Sequence, residues 1–394
     1  MKNVLIVSQN FYPEIGSAAN RMKNIFFELH KKGYNVHVLT TEPSYPNQYI
    51  YQDRKYFNNE ELNILENTHI HRLTMKHEKQ KDELTSRLYY YIEFMIKVHV
   101  FVKQSEHLFD TIYVSSPNIF AAWGVLFLKE INSTKVLEIR DLWPDSVVDI
   151  GKININVFLP ILKYLELQMY RKSDKIIINN PAFENHIRKM VKHKPVLFLP
   201  NAMNENEHYL DEKHPEFTVG YTGNIGYAQG IEDLKRLSLA LNENNIHFNV
   251  IPYGVHANEF RTFIKEQHLE YVHAYPVVDR DACLNFISKC HVSVALLKPS
   301  KTFLNVLPGK VIDSICTNVP IITNLGGYTN QLINDNLIGF AKKDANINEI
   351  IEQILSLKND SSKLREYVQN TEKVKDSQFL WRKNIDKLIK FIEE

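Results

Sequence analysis

Glycine-rich fingerprints, clustered cysteines, strong charge and long apolar runs are all missing from this 394-residue chain. Neither G-x-G-x-x-G nor G-x-x-x-x-G-K-[ST] occurs, which argues against NAD binding and against a P-loop ATPase. The three cysteines, Cys283, Cys290 and Cys316, lie in the second half without zinc-ligand spacing and read as small buried thiols of a reducing compartment. Lys+Arg number 47 and Asp+Glu 46, a balance that excludes a dedicated nucleic-acid binder, whose domain would be strongly basic. No segment approaches the roughly 20 uninterrupted apolar residues of a spanning helix. The opening MKNVLIVSQNFYPE has too short an apolar run for a signal peptide and no small-residue cleavage site, so it is expected to be a first strand.

What is present is ordinary for a compact protein: 44% hydrophobic and 24% charged residues. The length exceeds one core of usual size, so two domains are expected. Short β-rich runs (VLIVSQ, NVHVLTT, TIYVSS, KVLEIRD, KIIINN, VLFLPN) alternate with helical stretches, the pattern of parallel strands joined by helices. The periodicity lapses after residue 200 and resumes at FTVGYTGN, followed by HFNVIPYG, YVHAYPV, VSVALL and VPIITN. The boundaries expected are residues 1–200 for a first Rossmann-like domain, 201–215 for a linker, 216–376 for a second such domain, and 377–394 for a helix packing back on the first. Residues 42–83 are polar and Tyr- and Asn-rich, and are expected to be an excursion above the first sheet.

In doubly wound sheets ligands bind at the carboxyl ends of the strands, so the chemistry is sought in the turns that follow them. Phe11 to Arg21, FYPEIGSAANR, joins the first strand to the first helix; Gly16 either lets the backbone approach an anion at the helix N-terminus or only shapes the turn. Tyr221 to Gly230, YTGNIGYAQG, carries Gly223, Gly226 and Gly230 in a second turn whose amides point to an anion or merely close a loop. In VLPGKVID, Pro308 and Gly309 open a helix whose first turn holds Lys310, a seat for a diphosphate. Asp313, one turn on, either accepts bonds from ribose hydroxyls or pairs with Lys310 at the surface. In RDLWPD, Arg140 and Asp141 orient a sugar hydroxyl or a phosphate, and Asp141 or Asp145 acts as general base; otherwise they are an ion pair or cap, with Trp143 as core or as a platform under a sugar ring. No G-x-S-x-G, no H-E-x-x-H and no acidic pair seating a metal is expected here.

These residues resemble the retaining glycosyltransferases of family 4. Phe11-Tyr12-Pro13-Glu14-Ile15-Gly16 is similar to their opening motif, Arg140-Asp141-Leu142-Trp143-Pro144-Asp145-Ser146 to the most distinctive one, and Gly223-Asn224-Ile225-Gly226 with Ala228-Gln229-Gly230 to the second-domain turn. The likeness runs nearly end to end and is nearest to bacterial O-antigen and capsular L-fucosamine transferases. It implies an α/β GT-B fold, two facing Rossmann-like domains with a deep interdomain cleft. It implies transfer of a sugar, N-acetyl-L-fucosamine or similar, from a UDP-sugar to an undecaprenyl-diphosphate-linked saccharide, without cofactor or metal. Asp141, Arg140 and Lys310 would be catalytic; Gly16, Asn224, Gly226, Gln229, Gly309 and Asp313 would hold the nucleotide sugar. Two departures stand out. Asn224 and Gln229 occupy places where the family often has Arg and Lys, which leaves the charge to Lys310, and Asn305 replaces the first of the family's paired glutamates.

A lipid-linked acceptor implies a cytoplasmic protein at the inner face of the membrane. Arg87 to Gln104, aromatic and apolar and preceded by Lys76, Lys79 and Lys81, reads as a core helix or as a segment lying in the bilayer surface. Two other functions fit the same outline: a non-hydrolysing UDP-sugar epimerase and a non-catalytic, two-lobed sugar-binding protein.

Overall fold

The computed structural model describes residues 2–45, 47–77, 84–116, 118–129, 132–145, 157–204, 209, 212–298 and 305–394. The chain divides into two compact units, one formed by Met1–Pro200 with Trp381–Glu394, the other by Asn201–Leu380.

The first unit holds a seven-stranded, wholly parallel sheet of strands β1 (Asn3–Val7), β2 (Asn35–Thr41), β3 (Ile70–Leu73), β4 (Thr111–Ser115), β5 (Thr134–Ile139), β6 (Lys175–Ile178) and β7 (Val196–Phe198), ordered β3-β2-β1-β4-β5-β6-β7. Central strands are buried on both faces, which is why they read as continuous Val/Ile/Leu runs. Helix α1 (Ser17–Lys31) buries Met22, Ile25, Phe26 and Leu29, one stripe at helical spacing, and the chain turns at Gly33 with φ +85°. The described part of residues 42–83 contains elements that composition did not reveal: two short 3-10 turns (Gln48–Gln52 and Arg54–Tyr56), α2 (Glu60–Ile64) and the edge strand β3. The described part of that segment braces the first turn: the Glu14 carboxylate accepts from the Ser44 and Tyr45 amides at 2.7 and 2.9 Å, and Arg72 donates to the Tyr12 carbonyl at 2.8 Å. Residues 78–83, with Lys79 and Lys81, lie outside the described residues.

Helix α3 (Leu84–Ser105) buries Tyr90, Phe94, Val98 and Val102, every fourth residue, and packs on α4 (Ile119–Leu126). The 87–104 segment is therefore a core helix along that stripe. Leu88, Tyr89, Ile96 and Val100 on its other side are exposed. Two more helices of this unit are α5 (Leu159–Lys172) and α6 (Ala182–Met190). Among the described residues no helix is long and apolar enough to cross a membrane.

The second unit has a six-stranded parallel sheet of β8 (Thr218–Asn224), β9 (His247–Tyr253), β10 (Val272–Ala274), β11 (Val292–Ala295), β12 (Ile321–Thr323) and β13 (Gly339–Ala341), ordered β10-β9-β8-β11-β12-β13. Its helices are α7 (Ile231–Glu243), α8 (Ala257–Glu266), α9 (Arg280–Ser288), α10 (Gly309–Cys316), α11 (Gly327–Asp335), α12 (Ile347–Asn359) and α13 (Ser361–Gln378). The chain then returns to the first unit as α14 (Trp381–Glu393). Its apolar stripe Trp381, Ile385, Leu388 and Ile392 is buried, and the helix packs on α1.

In both sheets the strand order reverses beside the first strand, at β1/β4 and at β8/β11. Physics places ligand crevices outside the carboxyl ends at such points.

Candidate functional site

In the first unit the carboxyl end of β5 carries a buried carboxylate, Glu138, with no solvent exposure. Its lone pairs are taken up by Arg21 Nε at 2.6 Å and Tyr113 Oη at 2.5 Å on Oε1, and by Ser115 Oγ at 2.5 Å on Oε2. Arg21 comes from the buried stripe of α1 and lies 5.5 Å over the Trp381 ring of α14. Burial would raise the Glu138 pKa, but the Arg21 and Arg140 charges and these hydrogen bonds hold it below its ordinary value.

Two residues on, Arg140 is close enough to feel Glu138 yet its Nε is buried without a partner. Desolvation lowers its pKa and Glu138 pulls the other way. Asp141 is exposed at its surface, but the protein crowded around it displaces water and pushes its carboxyl up to about 6, against the pull of Arg140. Water still reaches the carboxyl and screens part of that effect.

Asp145, the other acid of this stretch, is tied to Lys163 of α5 at 2.8 Å, and Lys163 also meets the buried Glu166 at 3.0 Å. That leaves Asp141 as the uncommitted carboxylate. Trp143 packs edge-on against Trp123 at 5.6 Å and joins the core, which favours its structural reading over a sugar platform. Ser146 lies outside the described residues. Gly16 precedes α1 with φ +149°, a conformation that favours glycine, and no side chain caps that helix.

In the second unit Lys310 stands in the first turn of α10, after Pro308 and Gly309. Its stem is partly accessible, but its Nζ is buried, has no hydrogen-bond partner among the described residues, and sits 3.8 Å from the centroid of the Tyr221 ring. A Cβ at Gly223 would lie 3.5 Å from that nitrogen, in ordinary contact; it is the backbone φ of +126° that favours glycine there. Desolvation pushes the ammonium down to about 7, with Asp313 opposing. A cation 3.8 Å over an aromatic face is attracted to the ring, but a ring cannot replace the hydrogen bonds the ammonium had in water.

Asp313 is on the same helix and does not pair with Lys310. Its carboxylate meets Arg280 Nη1 at 2.7 Å, at the start of α9. Arg280 lies in the one Asp-X-Asp of this turn, Asp279-Arg280-Asp281. That sequence corrects the expectation that no such pair would be found, but its geometry is that of a cap: Asp279 accepts from the Ala282 amide at 2.9 Å. Among the described residues no group of three or more His, Cys, Asp or Glu could hold a metal ion.

The glycine turn after β8 closes on itself. The Gly226 amide donates to Gln229 Oε1 at 2.9 Å, so neither group is free for a diphosphate as the turn stands. Asn224 lies between Gly226 and Gly254, where added Cβ atoms would approach its side chain to 2.7 and 1.8 Å. Gly254, at φ +95°, is required by that fit, whereas at Gly226 the end of the Asn224 side chain can give way. Asn305 lies against Gly327.

The structure thus draws Lys310, Gly309 and Asp313 together around the end of β8, and Arg140 with Asp141 beyond β5. Sequence reasoning missed Arg280, Glu138 and Arg21. A charged residue four positions before Ile25, on the buried stripe of α1, was the available signal for Arg21.

Residues 203–374 match the family model of glycosyl transferases group 1. No curated protein matches the sequence. The fold resembles that of sucrose-phosphate synthase from Thermosynechococcus elongatus (15% identity, TM-score 0.77, covering 100% of this chain and 98% of the other). It also resembles Anabaena HepE, solved with UDP and glucose (14%, 0.69, 100% of both chains), and WaaG, a glycosyltransferase involved in lipopolysaccharide biosynthesis (12%, 0.68, 99% of both). The two Rossmann-like units are those of the GT-B fold, and the family match indicates a glycosyltransferase.

Proposed function

We propose that this protein transfers a sugar from a UDP-sugar to a hydroxyl of a lipid-linked saccharide, with retention at the anomeric carbon. The donor is an N-acetylated deoxysugar such as N-acetyl-L-fucosamine, the acceptor an undecaprenyl-diphosphate-linked saccharide of capsule or O-antigen synthesis. The RDLWPDS stretch supports that subclass by its resemblance.

One observation carries the reading: a buried ammonium, Lys310 Nζ, at the head of a helix and without a hydrogen-bond partner among the described residues. A diphosphate supplies what that nitrogen lacks. In the reaction the bond from the anomeric carbon to the β-phosphate oxygen breaks, and the diphosphate leaves with the electron pair. The acceptor oxygen bonds to the same carbon and gives up its proton. Lys310 and the first amides of α10 stabilise the departing charge. Asp313, held by Arg280, takes the ribose hydroxyls, and Asn224, Gly226 and Gln229 shape the turn beside the donor.

Asp141 receives the acceptor proton, since its raised pKa makes it a stronger base than an ordinary carboxylate. Arg140 orients the acceptor, and Gly16 gives the first helix an uncapped N-terminus for an anionic group. The exposed Leu88, Tyr89, Ile96 and Val100 of α3, with Val157, Phe158, Ile161 and Tyr164 at the start of α5, support peripheral contact with the membrane that presents the acceptor.

The test is a panel of nucleotide sugars scored by thermal shift. A cognate donor at a hundred times its Kd adds about 2.7 kcal/mol of stability. Retention of product stereochemistry with a lipid-linked acceptor completes the case. Release of a 2-epimer without acceptor would mark an epimerase instead, and binding without turnover a sugar-binding protein.

A further inference from the structure

The second unit contains a cavity of about 430 Å³ that the reaction does not use, lined by His214, Asn249, Tyr275, Asn285, Phe286 and Lys289. Strand alternation creates it. Phe248 and Val250 of β9 face the main core of this unit, so Asn249 points to the opposite side of the sheet. On that side α9 packs over β8, and β10 is the last strand, which leaves the outer strands with an open flank. Helix α9 begins beside the carboxyl ends of the strands and runs back past them. Phe286 and Lys289, at its far end, therefore lie away from Lys310.

Asn249 is only 5% exposed. One end of its amide meets His214 Nε2 at 3.3 Å, and the other, Oδ1, is buried with no partner among the described residues. Turning the amide over exchanges the two ends and still leaves one of them unpaired. An unmatched buried polar group destabilises the empty protein, a cost that a ligand filling the cavity removes.

The walls specify the ligand. Tyr275 and Phe286 meet edge to face at 5.3 Å and form an aromatic side. Lys289 brings a positive charge, and among the described residues no carboxylate lines the cavity. Desolvation, then the charges of Lys289, His247 and Lys213, lower the His214 pKa. Its backbone amide, bonded to the Lys289 carbonyl at 3.0 Å, fixes it at the cavity's lower end. The volume falls within the roughly 300–1,000 Å³ of small-molecule sites.

We propose that this cavity binds an anionic monosaccharide, with its ring against Tyr275 and Phe286, its hydroxyls on Asn249, Asn285 and His214, and its phosphate or carboxylate on Lys289. The site is separate from the donor site and is occupied together with UDP.

The experiment is calorimetric titration of the full chain, saturated with UDP, with glucose 1-phosphate, glucuronate, glucose and inorganic phosphate. Glucose 1-phosphate or glucuronate binds, the two distinguishing phosphate from carboxylate as the charge preferred. Glucose and inorganic phosphate bind about tenfold more weakly or worse, as loss of one charge-assisted bond or of the ring contacts requires. Lys289→Ala weakens the sugar anion by a similar factor, Asn249→Leu abolishes its binding, and UDP affinity is unchanged in both. Should the buried Asn249→Leu variant fail to fold, Asn285→Ala replaces it with the same expectation of weakened binding. Failure of both sugar anions to bind, or binding that ignores all of these substitutions, overturns the proposal. Inorganic phosphate binding as tightly as glucose 1-phosphate refutes the saccharide. Because UDP binding reads Lys310 and the sugar anions read this cavity, failure of one leaves the other standing.

Discussion

Arg140 in the first unit and Lys310 in the second each follow the pattern of a cation near the carboxyl end of a parallel sheet, and their surroundings are opposite. Arg140 belongs to a buried ionic group in which Glu138 is already saturated by Arg21, Tyr113 and Ser115. The negative charge steadies Arg140 while other donors occupy the oxygens. Lys310 has an aromatic ring below it and no hydrogen-bond acceptor among the described residues. Its nearest acid, Asp313, is drawn off by Arg280. The first arrangement keeps a cation charged before any ligand arrives; the second leaves an amine whose charge is completed by the ligand. Preorganisation is strongest where a polar group is held but not satisfied.

Breaking the first arrangement should give the largest effect. Arg21→Met leaves Glu138 as an uncompensated buried carboxylate and is expected to cost about 3–5 kcal/mol, read as a loss in denaturant midpoint. UDP affinity of the fraction that remains folded stays normal. Adding Glu138→Gln to that variant recovers much of the stability, since the charge left unpaired is gone.

Breaking the second arrangement should do the reverse. Lys310→Met is expected to lower turnover about 10²–10³-fold, while thermal stability is kept or raised, because a lone buried amine is costly to the empty protein. A Lys310→Met enzyme that unfolds early yet turns over normally would invert the comparison.

A pH series sharpens it. Lys310 has a folded-state pKa near 7, below its ordinary 10.5, so the folded, empty protein binds fewer protons there than the unfolded chain. Its contribution to stability therefore improves as pH rises through the 7 to 10.5 window and is lost as pH falls through about 7. UDP has the opposite preference, for the charged ammonium. Its affinity should fall as pH rises above 7, up to about tenfold per unit, with uptake of a proton on binding. Asp141 must be ionised to serve as a base, so activity should rise as pH passes about 6. The resulting kcat/KM profile is a narrow bell between the two. The smallest expected effect is that of Gln229→Ala. It frees the Gly226 amide at a cost of about 0.5–1.5 kcal/mol in stability, with little change in UDP affinity.

Much of the architecture was legible in the sequence because central parallel strands are buried on both faces and announce themselves as apolar runs, as in NVLIV and KIII. The short edge strand β3 was not, since IHRL is only four residues long and half polar, with His71 and Arg72 at its middle. Lys310 could be singled out because Pro-Gly-Lys opens a helix, but its isolation could not: that depends on Arg280, thirty positions earlier in the chain, taking Asp313 away. Likewise Arg140 and Asp141 stand out in RDLWPD, whereas the reason Arg140 is left unbonded lies in Arg21, Tyr113 and Ser115, which only the sheet and α1 bring to Glu138. Partnerships across the fold are what a linear reading misses, and in both units they decide the charge.

The most direct measurement is calorimetric titration of UDP and uridine into the wild-type chain and Lys310→Met at pH 6.5 and 8.5. If the unpartnered ammonium is the diphosphate seat, UDP binds wild type far more tightly than uridine does, the margin narrows at pH 8.5, and in Lys310→Met it vanishes while uridine binding persists. A margin of the same size in wild type and Lys310→Met would contradict the account.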